Sequence, residues 1–133
     1  MTYLLDTNVC IKYLSGHSPK VMHQMRSVSA DTIVICSIVK AELFYGAMKS
    51  QRPEQTLAGH MRFFSQFKSL PFDDVAAMIF GKIRADLARK GTPIGPYDLQ
   101  IAAIALANNL TLVTHNTDEF SRVATLQLTD WEI

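Results

Sequence analysis

Long apolar runs are missing from this chain of 133 residues. Two of its short apolar segments, TIVIC (32–36) and LTLV (110–113), fall far below the ~20 residues that a membrane-spanning helix needs. The chain also opens without the basic and then apolar leader of a secreted protein. We therefore expect a cytoplasmic protein that has no membrane partner.

Cysteine is scarce, and the usual cofactor motifs are absent. Only Cys10 and Cys36 occur, and without a secretion signal we expect two reduced, buried thiols. CxxC and HExxH motifs are missing and the four histidines are scattered, which argues against a zinc site. There is also no GxGxxG, no Walker loop and no GxSxG, so the common nucleotide-binding and serine-hydrolase patterns are excluded.

Net charge is small, at +1, with 13 Lys and Arg against 12 Asp and Glu. If three of the acids converge in one site, the remaining surface carries 13 basic against nine acidic residues, which weakly favours an anionic partner. Nearly half of the chain (48%) is apolar, and its length predicts one domain, residues 1–133, with a substantial core.

Short β-branched segments alternate with segments of helical periodicity from end to end. The predicted strands are 3–5, 32–36, 70–72, 110–114 and 124–128, with helices between them. This alternation predicts an α/β fold with a central parallel sheet of four to five strands and helices on both faces. In such sheets the ligand site lies beyond the carboxyl ends of the strands.

Three carboxylates occupy positions where they can converge at that edge. Asp6 ends the first strand, Glu42 lies one turn into the helix after the second strand, and Asp98 lies in the first turn of the helix before the fourth. Each also has an ordinary structural explanation, such as an N-cap for Asp6, a helix-dipole partner for Asp98 or a surface charge for Glu42. Because Thr7 or Asn8 can cap the first helix, we expect Asp6 to be free for another role.

Three acids at close range require a cation, or one of them takes up a proton. Oxygen-only ligands favour Mg²⁺ or Mn²⁺, and the reaction best served is hydrolysis of a phosphate ester. We expect Asp6 and Asp98 to bind the ion directly, and Glu42 to bind it through water or to act as a base.

Further polar residues extend this interpretation. VTHNTDEF (113–120) adds Thr114, Asn116, Asp118 and Glu119 beyond a strand, although a turn and helix cap would explain them equally well. Lys82 and Arg84 are predicted RNA contacts in a basic helix, for which an ordinary solvated face is the alternative.

An apolar surplus lies in the middle of the chain. FYGAM (44–48) is followed by a stripe formed by Leu57, Met61, Phe63, Phe64 and Phe67. Core packing explains such a stripe, and a partly exposed partner groove is the alternative.

Four segments in this order resemble the PIN-domain ribonucleases. They are LLDTN near the start, SIVKAELFYGA around Glu42, IRADLARKGTPIGPYDLQIAAIA around Asp98, and LVTHNTDEF near the end. Within that family the chain most resembles the VapC toxins of bacterial toxin–antitoxin pairs, especially the subgroup that cleaves initiator tRNA in the anticodon loop. The resemblance runs over essentially the whole length, including the closing LTDW.

The resemblance implies a PIN-like three-layer α/β/α sandwich and a metal-dependent endoribonuclease. It implies that Asp6, Glu42 and Asp98 hold Mg²⁺ or Mn²⁺, with Thr7, Asn8 and Thr114 in support. The family's fourth acidic position falls in THNTDEF, where Asn116 aligns and Asp118 and Glu119 lie close by. A VapB antitoxin, a homodimer and a larger toxin–antitoxin assembly are the implied partners.

Two other functions remain open on the residues alone. A nucleic-acid-binding module without catalysis would bind RNA but show no metal-dependent cleavage. A small-molecule phosphatase would hydrolyse simple esters, but aspartyl-nucleophile phosphatases need a second Asp at the position of Asn8.

Overall fold

Five short parallel strands form the centre of the protein in a computed structural model that describes all of residues 1–133. The strands are β1 (Tyr3–Leu5), β2 (Ile33–Cys36), β3 (Lys68–Leu70), β4 (Thr111–Val113) and β5 (Gln127–Thr129). They lie in the order β3-β2-β1-β4-β5, with Leu4 of β1 paired with Val34 on one side and Leu112 on the other. The expected parallel α/β sheet is confirmed.

Seven α-helices and one 3₁₀ turn (Ala30–Thr32) connect the strands. The helices are α1 (Thr7–Ser15), α2 (Pro19–Ser27), α3 (Ser37–Met48), α4 (Pro53–Phe64), α5 (Asp74–Arg89), α6 (Pro96–Ala107) and α7 (Thr117–Phe120). Parallel crossovers are right-handed, so the reversal of strand order puts α1–α4 on one face and α5–α7 on the other. Helices α3 and α4 pack together in the first layer, as do α5 and α6 in the second.

The strands at the centre are buried on both faces, which explains their continuous apolar sequences. Every residue of β2 and β4 is buried, and Leu4, Leu5 and Leu112 have no exposed surface. Helix α6 is also unusually apolar because its residues Ile101–Ala105 are all buried. The core thus holds β1 and β4 in place, and the candidate site described below lies at their carboxyl ends.

Two strands begin or end away from their predicted positions. β3 lies at 68–70 rather than 70–72, and β5 at 127–129 rather than 124–128. Both are three-residue edge strands with exposed or half-buried residues, so apolar content marks them poorly. Cys10 and Cys36 are buried free thiols, and no helix is both long and apolar enough to cross a membrane.

Candidate active site

The strand order reverses between β1 and β4, which opens a crevice at their carboxyl ends. Asp6 follows β1 directly, and its N–H donates to the Val113 carbonyl at the end of β4 over 3.1 Å. Thr114 follows β4 and is fully buried. The candidate site therefore lies where the parallel-sheet rule predicts it.

Asp6 caps helix α1, contrary to the expectation that Thr7 or Asn8 does so. Its Oδ1 accepts a hydrogen bond from the Val9 N–H at 2.9 Å, and its backbone is extended. Because helical geometry begins at Thr7, the capping position is Asp6, which precedes both predicted residues. The side chain is also buried, with 5% of the residue exposed, so this carboxylate is held in one orientation.

Glu42 reaches the same region from helix α3. The Thr7 hydroxyl, which is not needed as a cap, donates to Glu42 Oε1 at 2.7 Å. This hydrogen bond joins residues 35 positions apart and ties the first turn of α1 to the second turn of α3. Glu42 is half-buried, and its carboxylate is oriented by a donor that sits next to Asp6 in sequence.

Asp98 lies in the first turn of α6, close to Glu119 of α7. Glu119 Oε1 accepts from the Gly95 N–H at 3.2 Å, and its Oε2 accepts from the Asn116 amide at 3.0 Å. The loop before α6 is thereby fastened to α7. Among the three residues expected near a fourth acidic position, Glu119 lies beside Asp98, Asn116 orients Glu119, and Asp118 is exposed.

Burial, with a smaller contribution from neighbouring like charges, raises the pKa of two of these carboxylates. Burial, followed by the charges of Glu119, Asp6 and Glu42, raises the pKa of Asp98 to about 6. Burial also raises the pKa of Asp6, with smaller contributions from Glu132 and Glu42, while hydrogen bonds from Thr114 and Val9 act in the opposite direction. The four carboxylates therefore repel one another, and a cation bound among them would reduce this repulsion.

The donor set of this crevice fits a hard divalent cation, since every donor is a carboxylate oxygen. Asp6, Glu42, Asp98 and Glu119 do not contain three residues whose ligand atoms all lie within 4.8 Å of one another. An ion held there would therefore contact one or two of these carboxylates directly and the others through water, a mode that Mg²⁺ commonly adopts.

A second polar cluster borders the crevice and was missed from the sequence. His115, Asp130 and Glu132 place one ligand atom each within 4.8 Å of one another. His115 Nδ1 lies 2.9 Å from Asp130 Oδ2, and Glu132 forms an ion pair with Lys12 of α1. Their positions were the available signal, because all three residues lie within three positions of the ends of the neighbouring strands β4 and β5.

The two basic residues predicted to contact RNA lie apart from the acids, exposed on α5. The Arg84 guanidinium stacks 5.7 Å from the centre of the Phe80 ring and lines a hollow of about 240 Å³ together with Pro93 of the loop before α6 and Pro96 at the start of that helix. Lys82 lines a different, more open surface on the same helix. Neither of them forms an ion pair, although the nearby Arg89 and Lys90 both pair with Asp86.

The apolar surplus divides between core and surface. Phe63 and Phe64 are buried, and Phe64 packs edge-on against Phe44 with ring centres 5.5 Å apart. Tyr45 and Met61 remain more than half exposed. Core packing thus explains most of the stripe, and a smaller apolar surface is left over.

Comparison with known proteins agrees with this architecture. A sequence model described as "PIN domain" matches residues 3–126. A protein of Salmonella typhimurium named tRNA(fMet)-specific endonuclease VapC is 41% identical over 131 residues, which cover 98% of each chain.

The chain is a PIN-domain protein of the VapC ribonuclease group.

Solved structures of VapC complexes share its fold. A DNA-bound VapBC complex from Salmonella typhimurium contains a chain with a TM-score of 0.92, at 40% identity and 98% coverage of both chains. VapBC2 from Rickettsia felis, bound to a DNA fragment from its promoter, gives a TM-score of 0.91 at 38% identity, covering 98% of this chain and 99% of that one. The PIN-like fold and the family membership expected from the sequence are confirmed.

Proposed function

We propose that this chain is the toxin of a type II toxin–antitoxin pair and acts as a metal-dependent endoribonuclease on initiator tRNA in the anticodon loop. The observation that carries the proposal is the convergence of carboxylates at the β1–β4 crevice, in a chain 41% identical to a tRNA(fMet)-specific endonuclease. In this proposal residues 1–133 work as one PIN domain in the cytoplasm.

Asp6 and Asp98 are the proposed direct ligands of Mg²⁺ or Mn²⁺. Asp6 is pre-oriented by its hydrogen bond to Val9, and Asp98 carries a raised pKa that a neighbouring cation would lower. A divalent ion bound there supplies Lewis-acid chemistry, polarising a phosphate oxygen and acidifying water.

The other polar residues position these groups or a water molecule. Glu42, oriented by the Thr7 hydroxyl, binds through water or accepts the proton of the attacking water. Glu119 is the proposed fourth carboxylate, and Asn116 acts by orienting it. Thr114 supports Asp6 through a hydrogen bond, which partly offsets the rise that burial causes in the pKa of Asp6.

Substrate contacts outside the crevice belong to the same proposal. Asn8 is exposed beside Thr7 and Glu42 on the wall of a neighbouring groove, where it can contact RNA. Arg84 borders the loop that leads to Asp98, so it is the better placed of the two basic residues for a phosphate contact, and Lys82 lies on the more distant surface. Such contacts would contribute affinity rather than sequence selection.

We further propose that the chain pairs into homodimers and binds a VapB antitoxin that inhibits it. Support comes from the VapBC complexes whose toxin-sized chains it matches over 98% of its length. Co-expression with a VapB antitoxin should yield a stable complex with suppressed cleavage. A chain that stays fully active in such a mixture would contradict this part.

Cleavage of purified initiator tRNA tests the central claim. Wild-type protein in Mg²⁺ should cut the anticodon loop, and EDTA should abolish cleavage, with Mn²⁺ or Mg²⁺ restoring it. Asp6→Asn and Asp98→Asn should each lower the rate at least ~100-fold, whereas Glu54→Gln, an exposed acid on α4, should not. Cleavage that persists in EDTA or in both Asn variants would show that the mechanism is wrong.

A further inference from the structure

An open groove of about 630 Å³ runs from Glu42 along helix α3, and the proposed catalytic chemistry uses only its inner end. Its outer walls come from three helices: Asn8 and Ile11 from α1, Tyr45 from α3 with Lys49 directly after its end, and Tyr97 from α6. A volume of this size lies within the usual range of ligand clefts, roughly 300–1,000 Å³. The groove is therefore large enough to hold part of a substrate.

Two tyrosines dominate this surface although folding would normally bury such rings. Tyr45 is 66% exposed and Tyr97 is 59% exposed. Neither belongs to the aromatic packing around Phe63 and Phe64 that fills the space under α4. The Tyr97 ring, and the side of the Tyr45 ring that faces away from Lys49, are thus available to a ligand that stacks on aromatic rings.

Each tyrosine lies close to a proposed catalytic acid in the same helix. Tyr97 precedes Asp98 in the first turn of α6. Tyr45 lies three residues beyond Glu42, and residues three apart on a helix are neighbours on its surface. From Glu42 to Lys49 the helix rises about 10 Å, which sets the length of the wall.

Positive charge lies at the outer end of the same wall. Lys49 Nζ sits 4.8 Å from the centre of the Tyr45 ring and forms no ion pair. Glu42 at the inner end, two exposed aromatic rings and an ammonium group without an ion pair together match a nucleotide: a phosphodiester near the acid, bases on the rings and a further phosphate at the lysine.

We propose that Tyr45 and Tyr97 form a base-stacking subsite that holds unpaired nucleotides next to the scissile phosphate. The subsite rests on the proposed ribonuclease function and deepens it, because it explains why a single-stranded loop is cut. Bases in a duplex are stacked on one another and cannot lie on these rings, whereas loop bases can be splayed out. The tyrosines act as specificity determinants and take no part in the proton transfers.

Cleavage kinetics on an anticodon stem-loop RNA test the subsite. Tyr97→Leu and Tyr45→Leu should each lower kcat/KM by about 10- to 100-fold, the effect of losing one stacked base. Tyr97→Phe and Tyr45→Phe keep the ring and should stay within roughly threefold of wild type. Met61→Leu, at an exposed apolar residue on α4 outside the groove, is the matched control and should be unchanged.

A second substrate separates stacking from a structural effect of the mutation. The same RNA with an abasic site next to the cut should be a poorer substrate for wild type by a similar factor. If the ring and the base act together, Tyr97→Leu or Tyr45→Leu should then cause little further loss on the abasic RNA. Fully additive losses for both tyrosines would overturn the proposal, as would Leu variants that cleave the intact loop like wild type.

The failures of the two proposals can be told apart. If wild type does not cleave in Mg²⁺, or if Asp6→Asn and Asp98→Asn remain active, the ribonuclease proposal fails and the subsite falls with it. If wild type cleaves normally and the tyrosine-to-leucine variants lose only antitoxin binding, the ribonuclease stands and the groove is a protein-docking surface instead.

Discussion

Replacing Asp98 by asparagine should make the metal-free protein more stable at neutral pH while it abolishes cleavage. The carboxyl group of Asp98 has a pKa of about 6 in the folded protein, raised from 3.8 mainly by burial and then by Glu119, Asp6 and Glu42. A raised carboxylate pKa means that folding disfavours the charged form. Asparagine has nearly the same shape and no charge, so it removes this penalty.

The size and sign of the effect follow from proton linkage. Between pH 3.8 and about 6 the folded state holds more protons at Asp98 than the unfolded state, so the free energy of unfolding falls as pH rises. Roughly two pH units at about 1.36 kcal/mol each give an upper value of ~3 kcal/mol. Asp98 is partly exposed, and solvent screening reduces the expected gain to about 1–2 kcal/mol.

Urea denaturation in EDTA at pH 7.5 and at pH 4 measures this gain. At pH 7.5 the Asp98→Asn variant should unfold at higher urea, with a Tm roughly 3–8 °C above wild type for a chain of this size. Near pH 4 most of the advantage should vanish, because Asp98 is then largely protonated in the folded protein. Asp118→Asn, an exposed acid on α7, is the control and should change stability by less than about 0.5 kcal/mol.

Metal addition should reverse the order of stability. At a free Mg²⁺ concentration 100 times its Kd, binding adds about 2.7 kcal/mol to a protein that binds it only when folded. Wild type should gain that amount, and Asp98→Asn should gain little. A variant that is less stable than wild type in EDTA at pH 7.5, or whose advantage is the same at both pH values, would refute the electrostatic reasoning.

Three further predictions concern single positions. Asp6→Asn should keep the cap on α1 and the fold while cleavage falls at least ~100-fold, whereas Asp6→Ala should in addition lose about 1 kcal/mol of stability in urea denaturation. Thr7→Val should lower kcat/KM about tenfold because Glu42 loses its 2.7 Å donor, and Thr7→Ser should restore it; equal activity in all three proteins would show that this hydrogen bond does not matter. Gly91→Ala should destabilise by about 1 kcal/mol because its φ is +69°, and Gly81→Ala, in a helix with open space around the new methyl group, should instead stabilise by a similar amount; thermal denaturation compares the two.

The residues that sequence reasoning brought together share one simple property: each lies close to the end of a predictable element. Asp6 follows a short apolar strand, and Asp98 follows a loop rich in glycine and proline. In a parallel sheet, residues that follow the strands all lie at the carboxyl edge of the sheet, and this does not depend on how the side chains pack. The fold class and the location of the site were therefore predictable.

Details that depend on one residue of register were not predictable. Whether Asp6 or Thr7 caps α1 depends on where helical geometry begins, and both residue types are good caps. The His115–Asp130 contact depends on how β5 pairs with β4, and β5 has too little apolar character to reveal its start. Glu119 could be separated from Asp118 only by knowing which face of α7 turns inward.

The cap of helix α1 and the proposed ion binding depend on the same carboxylate, that of Asp6. Oδ1 accepts from the Val9 N–H, and Thr114 supplies a further hydrogen bond to the same carboxylate. The orientation of this carboxylate is therefore set when α1 folds, before any ion binds. If Asp6 binds the proposed ion, the entropy cost of ordering its side chain is already met by folding, so ion affinity should depend on how firmly the first turn of α1 is formed.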